Sequence, residues 1–162
     1  MCWEHAGKLA EVKPKLDDAG VLLAVLGIGT SESAKEFAER VGLAADSLFA
    51  DEERAVYKHF SLHGDLDGTE GIFFDPKVVD GVKRLFFNKT TGERIKERGT
   101  DGLKAAMQVY KPLMPKDSKD TVQQGGMLVM KGKEVLYFHK DEATFDHAPL
   151  DDVLSIALAA AA

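Results

Sequence analysis

The first twenty-eight residues show a helical hydrophobic pattern followed by a strand-like one. In residues 3–18 the apolar side chains recur mostly at helical spacing, with Lys and Glu between them. Pro14 lacks a backbone N–H, so we expect it to kink or shorten this helix. The continuous apolar run at 21–28 is too short for a typical core helix. It predicts a strand buried on both faces, as in a parallel sheet.

The next thirty residues continue this alternation. The spacing predicts a helix over 31–41, capped by Ser31 or Ser33. A short strand over 47–50 follows, and Asp51 is a suitable cap for a further helix over 52–60. Helix, buried strand, helix, short strand and helix in this order are typical of the α/β class.

The segment 61–119 has a different character. It is rich in Gly, Asp and Lys, and its apolar clusters at 72–74 and 85–87 share no single period. The pattern allows helices over 75–87 and 101–109, before prolines break the chain. We interpret this segment as an insertion wrapped over the core of a single domain spanning 1–162.

The C-terminal part is more regular. Residues 127–130 and 134–139 flank a short glycine-containing turn, which predicts an antiparallel β-hairpin. The apolar stripe beyond Pro149 predicts a last helix that includes 152–158, since proline is tolerated in a first helical turn.

Composition and charge exclude several classes of function. The net charge of −6 argues against general nucleic-acid binding, which needs a basic face. No apolar run approaches the ~20 residues of a membrane span, and the polar start is unlike a signal peptide. One cysteine forms no intrachain disulfide and is compatible with a reducing compartment.

The cysteine is the first candidate for chemistry. Cys2 opens the first predicted helix, where unpaired N–H groups and the helix dipole favour a thiolate. The alternative is that Cys2 is a small apolar residue without chemistry. Glu4 is a candidate to act on the thiol or an ordinary first-turn carboxylate, and no partner is apparent for His5. Trp3 is a packing residue or, less favoured, a substrate-stacking one.

Histidines and aspartates near the C-terminus are the second candidate group. His139, Asp141, Asp146 and His147 are residue types that bind metal ions. Scattered His and Asp in a polar loop are more often solvated, so we predict no metal and no cofactor.

An α/β half, a β-hairpin and a closing helix, with a cysteine at the first helix start, indicate a thioredoxin-like fold. Several stretches then closely resemble the peroxiredoxin-like 2 family of thioredoxin-like proteins, in particular its plant and algal chloroplast members. They are CWEHAGKL, KPKLDDAGV, LAVLGIGTSESAKEF, SLFADEERAVY and DTVQQGGMLVMKGKEVLYFHKDEATFDHAPLDDVL. The resemblance implies a thiol-based redox protein, near the alkyl hydroperoxide reductase and thiol-specific antioxidant proteins, located in the chloroplast.

Two departures from the family pattern concern the site. Members of the family have a pattern similar to Gly-Cys-x-x-Cys-x-Glu directly after a strand. Cys2 matches the second cysteine of this pattern, so the resemblance implies that Cys2 is a resolving cysteine or the sole redox cysteine. Where thioredoxins place a cis-proline, this chain has Gln123, Gln124, Gly125 and Gly126. We expect the backbone of 124–126 to lie near the thiol and to take part in substrate binding, because glycine permits close approach.

The family's first strand is central, between the strand at 21–28 and the hairpin. Without that strand two sheet pieces would face a gap with unpaired backbone groups, each costing roughly 1–3 kcal/mol if buried. We therefore expect that the native protein continues upstream of Met1.

The sequence leaves two functions open. The first is a thiol-dependent antioxidant that reduces peroxides or disulfides with a thiol reductant. The second is a redox-inactive docking subunit of a larger plastid assembly. In that case segment 61–119 is the favoured contact surface through its paired aromatic residues Phe73, Phe74, Phe86 and Phe87, although coverage of the core is the preferred explanation of these rings.

Overall fold

The computed structural model describes residues 2–62, 89–109, 113, 120, 123–142 and 145–162. Helices and strands are mixed along the chain, as the pattern predicts. Besides a short 3₁₀ turn, Ala45–Ser47, the elements are α1 (Cys2–Asp18), β1 (Val25–Gly27), α2 (Ser31–Val41), β2 (Leu48–Ala50), α3 (Ala55–His59), α4 (Lys89–Val109), β3 (Gly126–Lys131), β4 (Glu134–Lys140) and α5 (Leu150–Ala161).

The described strands form two separate pairs. β1 and β2 are parallel, with Leu26 opposite Phe49, and β3 and β4 are antiparallel. Among the strands that the structure describes, the strand within 21–28 and the hairpin therefore do not lie in one sheet. The strand predicted at 21–28 is shorter, and it is not buried on both faces: Leu22 is 88% exposed and Leu26 38% exposed. The side chains of β1 alternate between two surroundings, and the middle one, Leu26, is on the exposed face.

Pro14 does not shorten the first helix. α1 continues through it to Asp18. The last turn is held by Leu16, which is buried in the core, and by Val21, whose N–H donates to the Leu16 carbonyl at 2.8 Å. Tertiary packing here outweighs the hydrogen bond that proline removes.

The caps of the next helices differ in detail from the prediction. Thr30, and not Ser31 or Ser33, is the N-cap of α2, and its Oγ1 accepts from the Ser33 N–H. Asp51 does cap α3, since its two carboxylate oxygens accept from Ala55 N and Val56 N at 2.8 and 2.9 Å. The helix begins only at Ala55, because Arg54 takes a left-handed conformation (φ 57°).

The hairpin and the last helix confirm the prediction for the C-terminal part. β3 and β4 are joined by a turn at Gly132 (φ 62°), and α5 packs on β3. Pro149 is the N-cap of α5 and not part of its first turn. The main core joins α1, the hairpin and α5 through buried side chains of Leu16, Val129, Ala148, Val153 and Ala157.

The helix predicted at 101–109 is confirmed as the second part of α4, which has a non-helical link at Gly99 (φ 65°). The helix predicted at 75–87, the aromatic pairs at 73–74 and 86–87, and most of segment 61–119 lie outside the described residues. None of the helices that the structure describes is long and apolar enough to cross a membrane.

Candidate active site

A cleft of about 190 Å³ opens beside the start of α1. Its walls come from three parts of the chain that are distant in sequence. The first two turns of α1 contribute Glu4, His5 and Lys8, α4 contributes Arg98, and the segment entering α5 contributes His147. Cys2 is the first residue of α1 and lies three positions before His5, a spacing that puts two positions on the same side of a helix.

A buried carboxylate fixes the orientation of His147. Asp141 directly follows β4 and is 4% exposed. Its Oδ2 lies 2.7 Å from Nδ1 of His147, so Nδ1 carries the proton and donates it. The Oδ1 atom lies 3.6 Å from Nε2 of His139. In this arrangement the atom of His147 that can exchange a proton is Nε2.

Asp146 fixes the loop that carries His147. It is 6% exposed, and its carboxylate accepts from Arg94 at 3.1 Å and from the Glu142 N–H at 3.1 Å. Its carbonyl oxygen lies 2.7 Å from Nε2 of His139. These bonds bring the loop back onto the end of β4 and hold His147 against the first turns of α1.

His5 lies directly against His147. The two ring centroids are 4.7 Å apart, with 36° between the planes. Burial first, and the proximity of His147 second, lower the pKa of His5 to about 4. Nε2 of His5 and Nε2 of His147 are both buried and have no hydrogen-bond partner among the described residues. The cleft therefore presents two imidazole nitrogens that are available to a ligand or a water molecule.

Glu4 and Arg98 close the cleft on another side. Arg98 donates to the Glu4 carboxylate and lies 5.1 Å from the centroid of the Phe145 ring. Burial raises the pKa of Glu4, but the hydrogen bond and the charge of Arg98, with Lys8, outweigh it and leave that pKa lowered. Phe145 has a left-handed backbone (φ 71°), which is strained for a side chain of this size.

The glycine loop predicted to lie near the thiol contacts the same cluster. The Asp141 N–H donates to the Gly125 carbonyl at 3.1 Å. A Cβ on Gly125 would lie 3.5 Å from Asp141 Oδ2, and one on Gly126 would lie 2.6 Å from the His139 carbonyl oxygen. The loop, Asp141, His147 and His5 thus form a continuous series of contacts from β3 to α1.

The other predicted site residues have these places. Trp3 packs on Phe37 of α2, with centroids 4.6 Å apart. The Gln124 carbonyl accepts from the Gln123 side chain at 3.1 Å, and Gln123 also donates to the Leu62 carbonyl at 3.3 Å. The contacts do not test the catalytic and substrate-binding roles predicted for Cys2, Trp3, Glu4 and residues 124–126, so these roles stay predictions.

Sequence reasoning missed the pairing of the histidines. The interpretation of Asp141 and Asp146 as solvated is wrong, because both are buried and hydrogen-bonded. The signal in the sequence was the short segment between the end of the predicted strand at His139 and the start of the last helix. So few residues keep this loop close to the end of the strand. Among the described residues, no group of three or more His, Cys, Asp or Glu side chains is placed to hold a metal ion.

Comparison with known proteins identifies the family. The profile of a family described as AhpC/TSA antioxidant enzyme matches residues 8–143. The chain is 29% identical over 158 residues to "Thioredoxin-like protein AAED1, chloroplastic" of Arabidopsis thaliana, which covers 95% of this chain and 55% of that protein. It is 25% identical over 161 residues to "Peroxiredoxin-like 2C" of Bos taurus and 23% to that of Homo sapiens, covering 96% of this chain and 61% and 62% of those proteins.

The chain therefore spans a little over half the length of the curated relatives it matches. No solved structure matches it significantly. The family match covers most of the chain. The mixed order of helices and strands in the structure, with a C-terminal hairpin and helix, agrees with the resemblance found in the sequence. The chain belongs to the AhpC/TSA antioxidant enzyme family, with peroxiredoxin-like and thioredoxin-like relatives.

Proposed function

We propose that this protein is a thiol-dependent antioxidant of peroxiredoxin-like type, which reduces peroxides or disulfides with electrons from a thiol reductant. One observation carries the proposal: Cys2 begins the helix whose first two turns line a cleft, and two imidazole nitrogens in that cleft have no hydrogen-bond partner among the residues that the structure describes. A helix start favours the thiolate, which is the form that attacks peroxides and disulfides. The family match supports the same chemistry.

Cys2 is proposed as the sole redox cysteine of this sequence or as a resolving cysteine. As sole cysteine, it is oxidised by the peroxide to a sulfenic acid and returned to the thiol by an external reductant. As resolving cysteine, it attacks a disulfide formed at another thiol. Its place in the Gly-Cys-x-x-Cys pattern that the sequence resembles favours the resolving role wherever the first cysteine of that pattern is present. In this sequence, which has one cysteine, the role to be tested is that of the sole redox cysteine.

The remaining predicted residues have lesser roles in this proposal. Glu4 is a weak candidate for a base, because Arg98 lowers its pKa and so reduces its affinity for a proton. Trp3 and the backbone of Gln124, Gly125 and Gly126 are proposed to shape the substrate site. The contact of Gly125 with Asp141 supports this for the loop, and the packing of Trp3 on Phe37 makes a direct role of Trp3 less favoured.

The proposal also includes the architecture and the location. We propose a single thioredoxin-like domain over 1–162, with an insertion at 61–119 and without the central first strand that joins the two parts of the sheet in the family. The plant relative whose name includes "chloroplastic" supports a plastid location for this chain.

The test is peroxide consumption by the purified protein with a thiol reductant. The wild-type chain is expected to consume hydroperoxide or reduce a small disulfide, and Cys2→Ser is expected to lose this activity. A wild-type sample alkylated before the assay is the matched control and should behave as Cys2→Ser does. Equal rates in all three samples would remove Cys2 from the mechanism.

A second function is favoured by a specific feature of the surface. Leu22 is 88% exposed and Phe49 51% exposed beside β1 and β2, which is more apolar exposure than a short parallel pair needs. We propose as the alternative a redox-inactive docking subunit of a larger plastid assembly. This alternative predicts that Leu22→Lys with Phe49→Lys releases the protein from the assembly on native sizing, whereas Cys2→Ser does not.

A further inference from the structure

Three nitrogen atoms of the residues that line the cleft are buried and have no hydrogen-bond partner in the part of the chain that the structure describes. They are Nε2 of His5 on α1, Nε of Arg98 on α4 and Nε2 of His147 on the segment that enters α5. A buried polar atom of this kind costs stability unless a ligand, an ion or water satisfies it. Here three such atoms, from three separate parts of the chain, belong to side chains of one cleft.

The contacts that hold these side chains do not explain the three atoms. Arg98 donates to Glu4 from a terminal nitrogen, and Nδ1 of His147 is bonded to the carboxylate of Asp141 at 2.7 Å. These bonds orient the two side chains without using Nε of the arginine or Nε2 of the histidine. The rings of His5 and His147 are 4.7 Å apart between centroids, so two of the three atoms belong to rings in contact.

The hydrogens on these nitrogens specify the chemistry of a ligand. The Nε–H of Arg98 is a permanent donor, because a guanidinium stays protonated in proteins. Nε2 of His147 donates when the ring is protonated, and Nε2 of His5 donates in one of the two neutral tautomers. A group that satisfies all three atoms offers acceptor oxygens and no competing donor, as a carboxylate does.

The charged side chains of the cleft also favour an anion. Among the described residues that line it, Lys8 and Arg98 are cations and Glu4 is a carboxylate. Glu4 contacts both cations, accepting from Arg98 and lying 3.5 Å from Nζ of Lys8. His5 is neutral near pH 7, because its pKa is about 4. The cleft therefore has an excess of positive charge in a chain whose net charge is −6, and such an excess attracts anions.

The rest of the lining is apolar. The centroid of the Phe145 ring lies 5.1 Å from the guanidinium carbon of Arg98, and residues 148–150 line the cleft with Ala, Pro and Leu. Sites for small organic molecules combine such walls with a few polar groups. The volume of about 190 Å³ exceeds the ~10–15 Å³ that one water needs, and it is below the roughly 300–1,000 Å³ of sites for drug-sized ligands. The cleft therefore suits a carboxylate with a short apolar body.

We propose that this cleft is a binding site for a small organic carboxylate. The carboxylate oxygens accept from Nε of Arg98 and from the imidazoles of His5 and His147, and the apolar part lies against Phe145. Because the three nitrogens are buried, the ligand reaches them through small side-chain movements, which are common on binding. Inorganic phosphate matches the charge but leaves the apolar wall unused, so an organic carboxylate is the better fit. The inference goes beyond the proposed function, because it needs no reaction at Cys2.

The first experiment is a nitrogen-15 NMR titration of the wild-type protein with benzoate. Benzamide, which has the same ring and no charge, is the matched control probe, and inorganic phosphate is a separate arm. At about 10 mM, which saturates a site with a Kd near 1 mM, benzoate should shift the Nε–H signal of Arg98 and the ring signals of His5 and His147. Benzamide should bind at least about tenfold more weakly, because hydrogen bonds to a charged acceptor are stronger.

The second experiment repeats the benzoate titration on variants and follows the histidine ring signals. Arg98→Gln removes the Nε–H donor and should weaken binding at least about tenfold. Arg40→Gln is the matched control, because Arg40 is also paired with a glutamate, Glu36 of α2, but does not line the cleft. Its Kd for benzoate should equal that of wild type. Cys2→Ser should also bind benzoate as wild type does.

The results separate this inference from the proposed function. Saturable benzoate binding that is equal in wild type and Cys2→Ser would support the site even if no peroxide is consumed. A protein that consumes peroxide but does not bind benzoate would overturn the site and keep the redox function. Benzamide or phosphate binding as tightly as benzoate would overturn the carboxylate assignment, as would wild-type affinity in folded Arg98→Gln. The wild-type titration decides the question even where that variant does not fold.

Discussion

The imidazole rings of His5 and His147 are in contact with their centroids 4.7 Å apart and their planes tilted by 36°, and this contact joins the first turn of α1 to the segment that enters α5. Two residues separated by 142 positions thus form one wall of the cleft. Because His5 is half-buried there and lies beside His147, which together outweigh the attraction of Asp141, its neutral form is favoured. The first prediction follows from this relationship.

The prediction for His5 concerns the pH dependence of stability. Its pKa falls from 6.5 to about 4 on folding, so between these values the unfolded chain binds the proton and the native protein does not. The free energy of unfolding should therefore increase as the pH rises from about 4 to 6.5, and it should decrease again as the pH falls through the same range. We compare the free energies of unfolding from urea titrations at pH 5 and pH 7. The increase between these two pH values should be larger in wild type than in His5→Gln by on the order of 1 kcal/mol, after allowance for solvent screening.

The control for this prediction is His59→Gln, which changes an exposed histidine on α3. The difference between its free energies of unfolding at pH 7 and pH 5 should equal that of wild type. Equal pH dependence in wild type and His5→Gln would contradict the burial of a neutral His5.

A second prediction concerns the glycine that begins β3. A Cβ at Gly126 would lie 2.6 Å from the His139 carbonyl oxygen, and backbone atoms cannot yield as a flexible side chain does. Gly126→Ala should therefore lower the free energy of unfolding by about 1–3 kcal/mol. Gly7→Ala is the matched control, because its added Cβ would have no atom within 4 Å among the described residues, apart from its own stretch of helix. In the middle of α1 it should stabilise by about 0.5–1 kcal/mol. Thermal unfolding of both variants checks the pair, and equal effects would contradict the close approach.

A third prediction concerns the pair that ties α4 to α1. The Glu4 and Arg98 side chains are 23% and 24% exposed, so their interaction is only partly screened. A double-mutant cycle with Glu4→Gln and Arg98→Gln should give a coupling free energy of about 1 kcal/mol. Because folding lowers the pKa of Glu4, its stabilisation is present above pH 4.5 and is lost as the pH falls through the folded value. A coupling that is the same at pH 7 and pH 3 would contradict this assignment.

Local sequence patterns predicted much of the fold. The hairpin around Gly132, the helix at 101–109 and the capping role of Asp51 followed from spacing and turn chemistry. Patterns failed where tertiary contacts decide: α1 continues past Pro14 because Leu16 packs in the core, and Leu26 is exposed although its run is apolar.

The candidate site was less predictable than the fold. Cys2 and the glycines at 125–126 could be singled out because helix starts and glycine loops have local signatures. The bonds from Asp141 to His147 and from Arg98 to Glu4 depend on how distant elements pack, and hydrophobic periodicity carries no information on such pairs. The buried state of Asp141 is therefore a finding of the structure alone.

The central claim is that a thiol of this protein carries out redox chemistry, and the most direct test is the mass of the intact protein after treatment with one equivalent of hydroperoxide. The account predicts one added oxygen located on Cys2, trapped by a reagent specific for sulfenic acids, removed by a thiol reductant and absent in Cys2→Ser. An unmodified Cys2 after this treatment, or oxygen found only on methionine, would contradict the account and favour the docking subunit.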